Sequence, residues 1–292
     1  MPASNHRKNY KGNCLVSVPQ QAAPLNFYRR GRTPIFASRM DQRFSWCCYI
    51  PEGYDPTGKT VHPLAVLVHG SLRDADILRD EFIDFAEQHQ CVLLAPLFPA
   101  GIDDPDDLHN YKHMIYHGIR YDLVLLDMID ELATRYRVEK DKVLMHGFSG
   151  GAQFAHRFLY LHPHRLRAVS VGAPGTVTLP DDRAKWWVGL NGMEEIFGQP
   201  IDIDAMRRVA VQLVIGDADI ETWDVTVGPK SPFWMEGIND SGETRVERLR
   251  TLEKGLKAIG VEPRFDTVAG ISHDGTGIQP PVKAFFSAVL KD

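Results

Sequence analysis

From Phe44 onward, short apolar runs alternate with longer amphipathic ones. FSWCCYIP reads as a strand and PLAVLVHG as a buried strand. The segment around DEFIDFAEQHQ reads as a helix with Asp80 or Glu81 near its start, and CVLLAPLF as the next strand. In IRYDLVLLDMIDELATRYRV, residues Ile119, Leu123, Leu126, Ile129, Leu132 and Tyr136 recur every three or four positions, the period of one helix face. KVLMHG is a strand that runs directly into GFSGGAQFAHRFLYLHP, a helix stopped by Pro163. LRAVSVGAPG, VAVQLVIGD and EPRFDTVAG continue the strands, each apolar enough for burial on both faces, and ETRVERLRTLEKGLKAIG and PPVKAFFSAVL continue the helices. Strands alternating with helices pair in parallel through crossover helices, so the pattern predicts an α/β fold: a mostly parallel, doubly wound sheet with helices on both faces. In such sheets ligands sit at the carboxyl ends of the strands.

Two stretches break the rhythm, residues 175–208 and residues 220–242. Loops this long inside a compact domain are usually lids or insertions, and 175–208 is expected to be a small cap or lid. With 292 residues, 43% hydrophobic and 24% charged, the chain has material for one large domain, expected over 44–292 after a basic arm over 1–43. Residues 1–40 carry seven Lys or Arg and no Asp or Glu, so against a total of −5 the remainder carries −12. The arm is expected to pack along its own acidic body or on a neighbouring subunit, which allows a homo-oligomer; it has no nucleic-acid motif. The longest apolar runs fall short of the roughly 20 residues of a membrane span, so no membrane partner is expected. Nor does the N-terminal stretch hold the continuous apolar segment of a secretion signal, and a cytoplasmic location is expected. Cys14, Cys47, Cys48 and Cys91 follow no metal spacing and are read as reduced thiols.

Candidate chemistry starts at VLMHGFSGG. KVLMHG-F-S-G-G sets Ser149 after a buried strand and before a helix, the context of a G-x-S-x-G nucleophile elbow. Gly147 and Gly151 allow close packing around the turn, and Gly150 offers an unobstructed backbone N–H. A serine hydroxyl needs a base, and in this architecture the partners follow in the order Ser, Asp or Glu, His. His156, His162 and His164 lie on or just beyond the elbow helix, leaving His273 in VAGISHDGTG. Past the strand VAVQLVIGD, Asp219 is chosen to orient the imidazole, with Asp217 read as a turn residue bonded to its own loop. An oxyanion requires two backbone donors: Gly150 N–H is the first. Ser71 N–H, in the loop His69-Gly70-Ser71 that resembles the HG-type oxyanion loop of lipases and esterases, is the second, with Leu72 as alternate and His69 as a brace.

In order and spacing, YIPEGYDP, PLAVLVHGS, LLAPLFPAG and KVLMHGFSGGAQFAHRFLYLHPHRLRAVSVGAPG resemble the α/β-hydrolase superfamily, in its branch of polyhydroxybutyrate depolymerase-like and feruloyl-esterase-like proteins. The resemblance covers roughly residues 44–175 and 210–292. It implies Ser149 as nucleophile, Asp219 as acid and His273 as base, and hence a carboxylic ester hydrolase acting through an acyl-enzyme, without a cofactor. Ser71 stands where that branch often has cysteine or threonine, and secretion features are missing, so a small intracellular ester is the expected substrate. A peptidase or thioesterase with the same triad, an acyltransferase or lyase on the same fold, and a non-catalytic binding protein are the rival readings.

Further residues are weighed as pocket walls. Leu72 and Phe148 flank the proposed donors. Trp186, Trp187 and Trp223 fall in the two irregular stretches, where they line an acyl pocket or form the core of a cap. Arg73 meets either a substrate carboxylate or a surface acid. His109, His113 and His117 recur every four residues, one face of a helix if that stretch is helical, but no metal is expected.

Overall fold

The computed structural model describes residues 26–291. Residues 1–25 of the basic arm, with Cys14, lie outside them. Two short strands, β1 (Gly31–Arg32) and β2 (Phe36–Ala37), pair antiparallel with β3 (Ser45–Ile50). This part of the arm lies along its own body: Arg32 Nε donates to Asp80 at 2.8 Å, and Arg39 Nε is 3.7 Å from a Glu131 carboxylate oxygen.

The chain continues through β4 (Leu64–Val68), α1 (Ala75–Asp80), α2 (Ile83–His89) and β5 (Val92–Leu97). A small hairpin of β6 (Ile115–Tyr116) and β7 (Ile119–Arg120) precedes α3 (Tyr121–Ala133), β8 (Val143–Phe148), α4 (Gly150–Leu161) and β9 (Leu166–Gly172). Two short helices, α5 (Met193–Phe197) and α6 (Ile203–Met206), lead to β10 (Ala210–Gly216), α7 (Arg245–Ala258), β11 (Arg264–Val268) and α8 (Gln279–Val289). The main sheet has the order β1-β3-β5-β4-β8-β9-β10-β11, with β2 also on β3. From β5 to β11 every pairing is parallel, and β3 joins β5 antiparallel.

Alternation along the strands builds the layers, because successive side chains point to opposite faces. Val66 and Val68 join Met145, Leu213 and the inner faces of α3, α4 and α7 in one core, whereas Ala65 and Leu67 join Leu144, Val214, α2 and α8 in the other. Both faces of the central strands are therefore covered, as the doubly wound reading requires. No helix among the described residues is long and apolar enough to cross a membrane. Cys47, Cys48 and Cys91 are free and buried.

The structure corrects several boundaries. DEFIDFAEQHQ is not one helix starting near Asp80: Asp80 ends α1, and α2 starts at Ile83. Ile119 belongs to β7, so the next helix opens at Tyr121. Within EPRFDTVAG, β11 (Arg264–Val268) is an edge strand with no buried residue, since it has only β10 beside it. His109 precedes a 3₁₀ turn over Asn110–His113, and His117 sits in the hairpin turn with φ 46°, so the three histidines share no helix face.

Candidate active site

At the carboxyl end of β8 the chain reverses through Ser149 into α4, and Ser149 takes φ 55° and ψ −113°, a conformation that a non-glycine residue rarely adopts. Close approach of three backbones enforces the turn. A Cβ at Gly147 would overlap the carbonyl of Gly151, and one at Gly151 would overlap that of Val68, so β4, β8 and α4 meet at a distance only glycine permits.

Ser149 Oγ is 3.0 Å from His273 Nε2, and His273 Nδ1 is 2.7 Å from Asp219 Oδ2. Facing a carboxylate, Nδ1 carries the ring proton, which leaves the Nε2 lone pair directed at the serine hydroxyl. The imidazole stacks on Phe148, with ring centroids 4.6 Å apart. Asp219 follows β10, and its side chain is fully buried. Its other oxygen accepts from Arg245 Nη1 at 3.0 Å, and the same guanidinium pairs with Asp224 through Nη2. Asp217 is engaged differently: its Oδ1 accepts the N–H of Gly270 at 2.7 Å, tying the ends of β10 and β11 together. The other histidines that follow Ser149 are occupied away from it, His156 with Ala152 O and Thr178 N–H, His162 with Asp122, and His164 with Asp202.

The loop after β4 is braced from three sides. His69 Nε2 accepts the Phe98 N–H at 3.0 Å while Nδ1 donates to Gly70 O at 2.8 Å, and burial pushes this imidazole down to about 3, so it stays neutral. Tyr111 donates its hydroxyl to His69 O at 2.9 Å, and Arg73 Nη1 donates to Ser71 O at 2.7 Å. Among the described residues, neither the Ser71 nor the Gly150 N–H has a hydrogen-bond acceptor. Ser71, with Ser149 and His273, borders a cleft of about 680 Å³.

Of the other expected wall residues, Leu72 and Phe148 line the cleft. Four do not, and each has a physical reason. Arg73 folds back on its own surroundings, donating to Phe98 O, Ser71 O, Leu108 O and Asn110 Oδ1, so its donors are committed to the loop and not to a ligand. Trp186 is buried in the main core, edge-on to Phe197. Trp187 stands behind His113 and Phe233, and Trp223 is 77% exposed on the outside. From residues 175–208 only Gly175 and Thr176 reach the cleft; the wall comes from the second irregular stretch, through Val225, Val227, Phe233 and Ile238. Arg248 on α7 holds that stretch in place by donating to Val225 O at 2.7 Å and Gly242 O at 2.8 Å.

Sequence reasoning missed Lys112, Gln153 and Arg245, all of which border the cleft. Lys112 had a signal in HNYKH, where a cation sits between two histidines; Arg245 had none, since a charged residue on a charged helix reads as solvated.

No protein-family model matches the sequence, and no curated protein does. Solved structures do match it in three dimensions. A poly(aspartic acid) hydrolase-1 from Sphingomonas sp. KT-1 superposes with a TM-score of 0.70 at 19% identity, covering 87% of this chain and 98% of that one. A poly(3-hydroxybutyrate) depolymerase from Bordetella parapertussis gives 0.70 at 23% identity, covering 88% and 90%. An S-formylglutathione hydrolase from Agrobacterium tumefaciens gives 0.56 at 16%, covering 94% and 99%. At these identities the likeness is one of fold: the chain has the α/β-hydrolase fold.

Proposed function

We propose that the protein is a serine hydrolase that cleaves a carboxylic ester of a small or medium-sized substrate. The carrying observation is the continuous relay Asp219–His273–Ser149, seated on a strained turn at the mouth of a cleft. His273 Nε2 takes the Ser149 proton as Oγ bonds to the ester carbon, and the Ser71 and Gly150 N–H groups receive the oxygen on which negative charge develops. The carbon–oxygen bond to the alcohol then breaks, and His273 returns the proton to the leaving oxygen. Water attacks the acyl-enzyme with His273 again as base, and the acid leaves as Ser149 recovers its proton. Asp219 holds the ring and stabilises its positive charge throughout, while Arg245 holds Asp219. The neighbours' own names, two hydrolases and a depolymerase, agree with hydrolysis as the reaction class.

A serine-directed fluorophosphonate should label Ser149 and no other serine. In an ester panel of varied acyl length, with thioester and anilide counterparts, Ser149→Ala should lower kcat by about 10⁵–10⁶-fold while leaving the thermal melt in place. Labelling at a different serine with Ser149 free would refute the assignment. Faster turnover of the thioester or the anilide than of every ester would move the reaction to that class.

A further inference from the structure

One wall of the cleft carries Lys112, with the Arg73 and Arg157 guanidinium groups close to it but outside the lining, and among the described residues none of the three has a carboxylate counter-ion. Lys112 is only 3% exposed, and its ammonium meets His109 Nδ1 at 2.9 Å. Among the described residues no carboxylate oxygen lies within 4 Å of Lys112, Arg73 or Arg157. Arg157, fully buried behind this wall, donates to neutral oxygens alone: Lys112 O, Thr176 Oγ1 and Thr178 Oγ1. Asp107, the acid whose field reaches Lys112, accepts the backbone N–H groups of His109 and Asn110.

Of the four carboxylates that border the cleft, Asp74 lies beyond 4 Å of every described cation and the other three are engaged elsewhere. Glu81 accepts from Thr276 and Gln279, Asp224 pairs with Arg245, and Asp274 accepts the Thr276 N–H. An unpaired buried ammonium is costly, and burial pushes Lys112 down to about 7, helped by the field of Arg73. An anion in the cleft reverses that cost.

Lys112 also stands beside the reacting groups. A Cβ on Gly150 would overlap Lys112 Cε, so the end of this side chain lies against the turn that presents Ser149. Next to it on α4, Gln153 accepts from Thr176 Oγ1 at 2.7 Å through Oε1, which leaves its amide N–H₂ as a donor at the cleft. Resting on the hydrolase reading above, we infer that the substrate is an ester carrying a carboxylate, and that Lys112 Nζ and Gln153 Nε2 hold that carboxylate while Ser149 attacks the ester carbon. Lys112 is then the residue that selects an anionic ester over a neutral one of similar length.

Three esters test this: monomethyl glutarate, with the carboxylate on the acyl side; the butyrate ester of glycolate, with it on the alcohol side; and neutral methyl butyrate. A hydrogen bond to a charged group is worth enough that the wild type should favour one anionic ester in kcat/KM by about 10- to 100-fold. Which of the two is favoured shows the side on which the carboxylate sits. In Lys112→Met that ratio should collapse toward one, and Lys112→Arg should retain part of it. Equal or better turnover of methyl butyrate by the wild type, or an anionic preference that survives Lys112→Met, overturns the inference.

Binding provides a readout independent of turnover. By calorimetry, monomethyl glutarate or the glycolate ester should bind Ser149→Ala at least about tenfold tighter than methyl butyrate. Equal binding overturns the inference even if Lys112→Met does not fold. A protein that binds the anionic ester selectively, yet neither hydrolyses any ester nor reacts with the fluorophosphonate, would refute the hydrolase reading and leave the anion site standing.

Discussion

The two aspartates at the end of β10 differ in what their carboxylates touch, and this separates their expected roles. Asp219 is buried between His273 and Arg245, whereas Asp217 accepts one backbone N–H at the surface. Asp219→Asn should lower kcat by about 10⁴-fold, because an amide cannot stabilise the imidazolium and can leave the ring in the wrong tautomer. Asp217→Asn should cost less than about tenfold, since the asparagine carbonyl still accepts from Gly270. Steady-state kinetics on both variants, each first shown to be folded by its thermal melt, decides; a crippled Asp217→Asn beside a nearly normal Asp219→Asn would reverse the roles. Both aspartates could be placed from the sequence because chain order and the strand end leave few places for an acid. The tryptophans could not, because nothing in a one-dimensional pattern distinguishes a large ring facing a cleft from one facing a core. The same limit hid Lys112, whose burial depends on α4 packing over the 3₁₀ turn before it.

Helix α7 shows how an element that looks peripheral serves the site. Its arginines recur on a strongly charged helix and read from the sequence as a solvated face, yet Arg245 and Arg248, three positions apart, both turn inward. One grips Asp219 and the other fixes the cleft wall through Val225 and Gly242. Both depend on the first turn being in place, and a capping box secures it: Thr244 Oγ1 accepts the Glu247 N–H at 3.2 Å, while Glu247 accepts the Thr244 N–H at 3.1 Å. Thr244→Ala should lower stability by about 1 kcal/mol in urea denaturation, and kcat/KM should fall with it because the fraying end carries Arg245. A loss of stability with unchanged kinetics would show that the arginine holds Asp219 without help from the cap. Whereas α1, α5 and α6 are too short to show a period, the existence of α2, α3, α4, α7 and α8 was legible from the pattern, and of each parallel strand from its apolar run. Their ends were less so, because a tight hairpin at 115–120 and a break at Glu81–Phe82 are fixed by tertiary contacts.

Across the whole molecule, burial of neutral imidazoles sets the response to acid. His69 and His146 are fully buried and pushed down to about 3 and about 4, mainly by desolvation. In the unfolded chain both take up a proton near the ordinary value of 6.5, so the unfolded state binds more protons below that pH. Their contribution to stability is complete above about pH 6.5 and is lost as the pH falls toward 4, at about 1.4 kcal/mol per pH unit for each group. Urea midpoints should therefore hold from pH 7.5 to about 6.5 and fall steadily from there to pH 5; a flat profile below 6.5 would mean that these rings are protonated in the fold. Assembly of the relay has a further consequence, for the order of folding. Ser149 meets His273 across 124 positions and His273 meets Asp219 across 54, so loop closure of this size precedes any chemistry. Catalytic competence in this sense requires the whole chain: with the central strands paired but β11 and the loop after it undocked, Ser149 would have no base within reach, so truncation or local opening at the C-terminal elements silences the serine without touching the elbow.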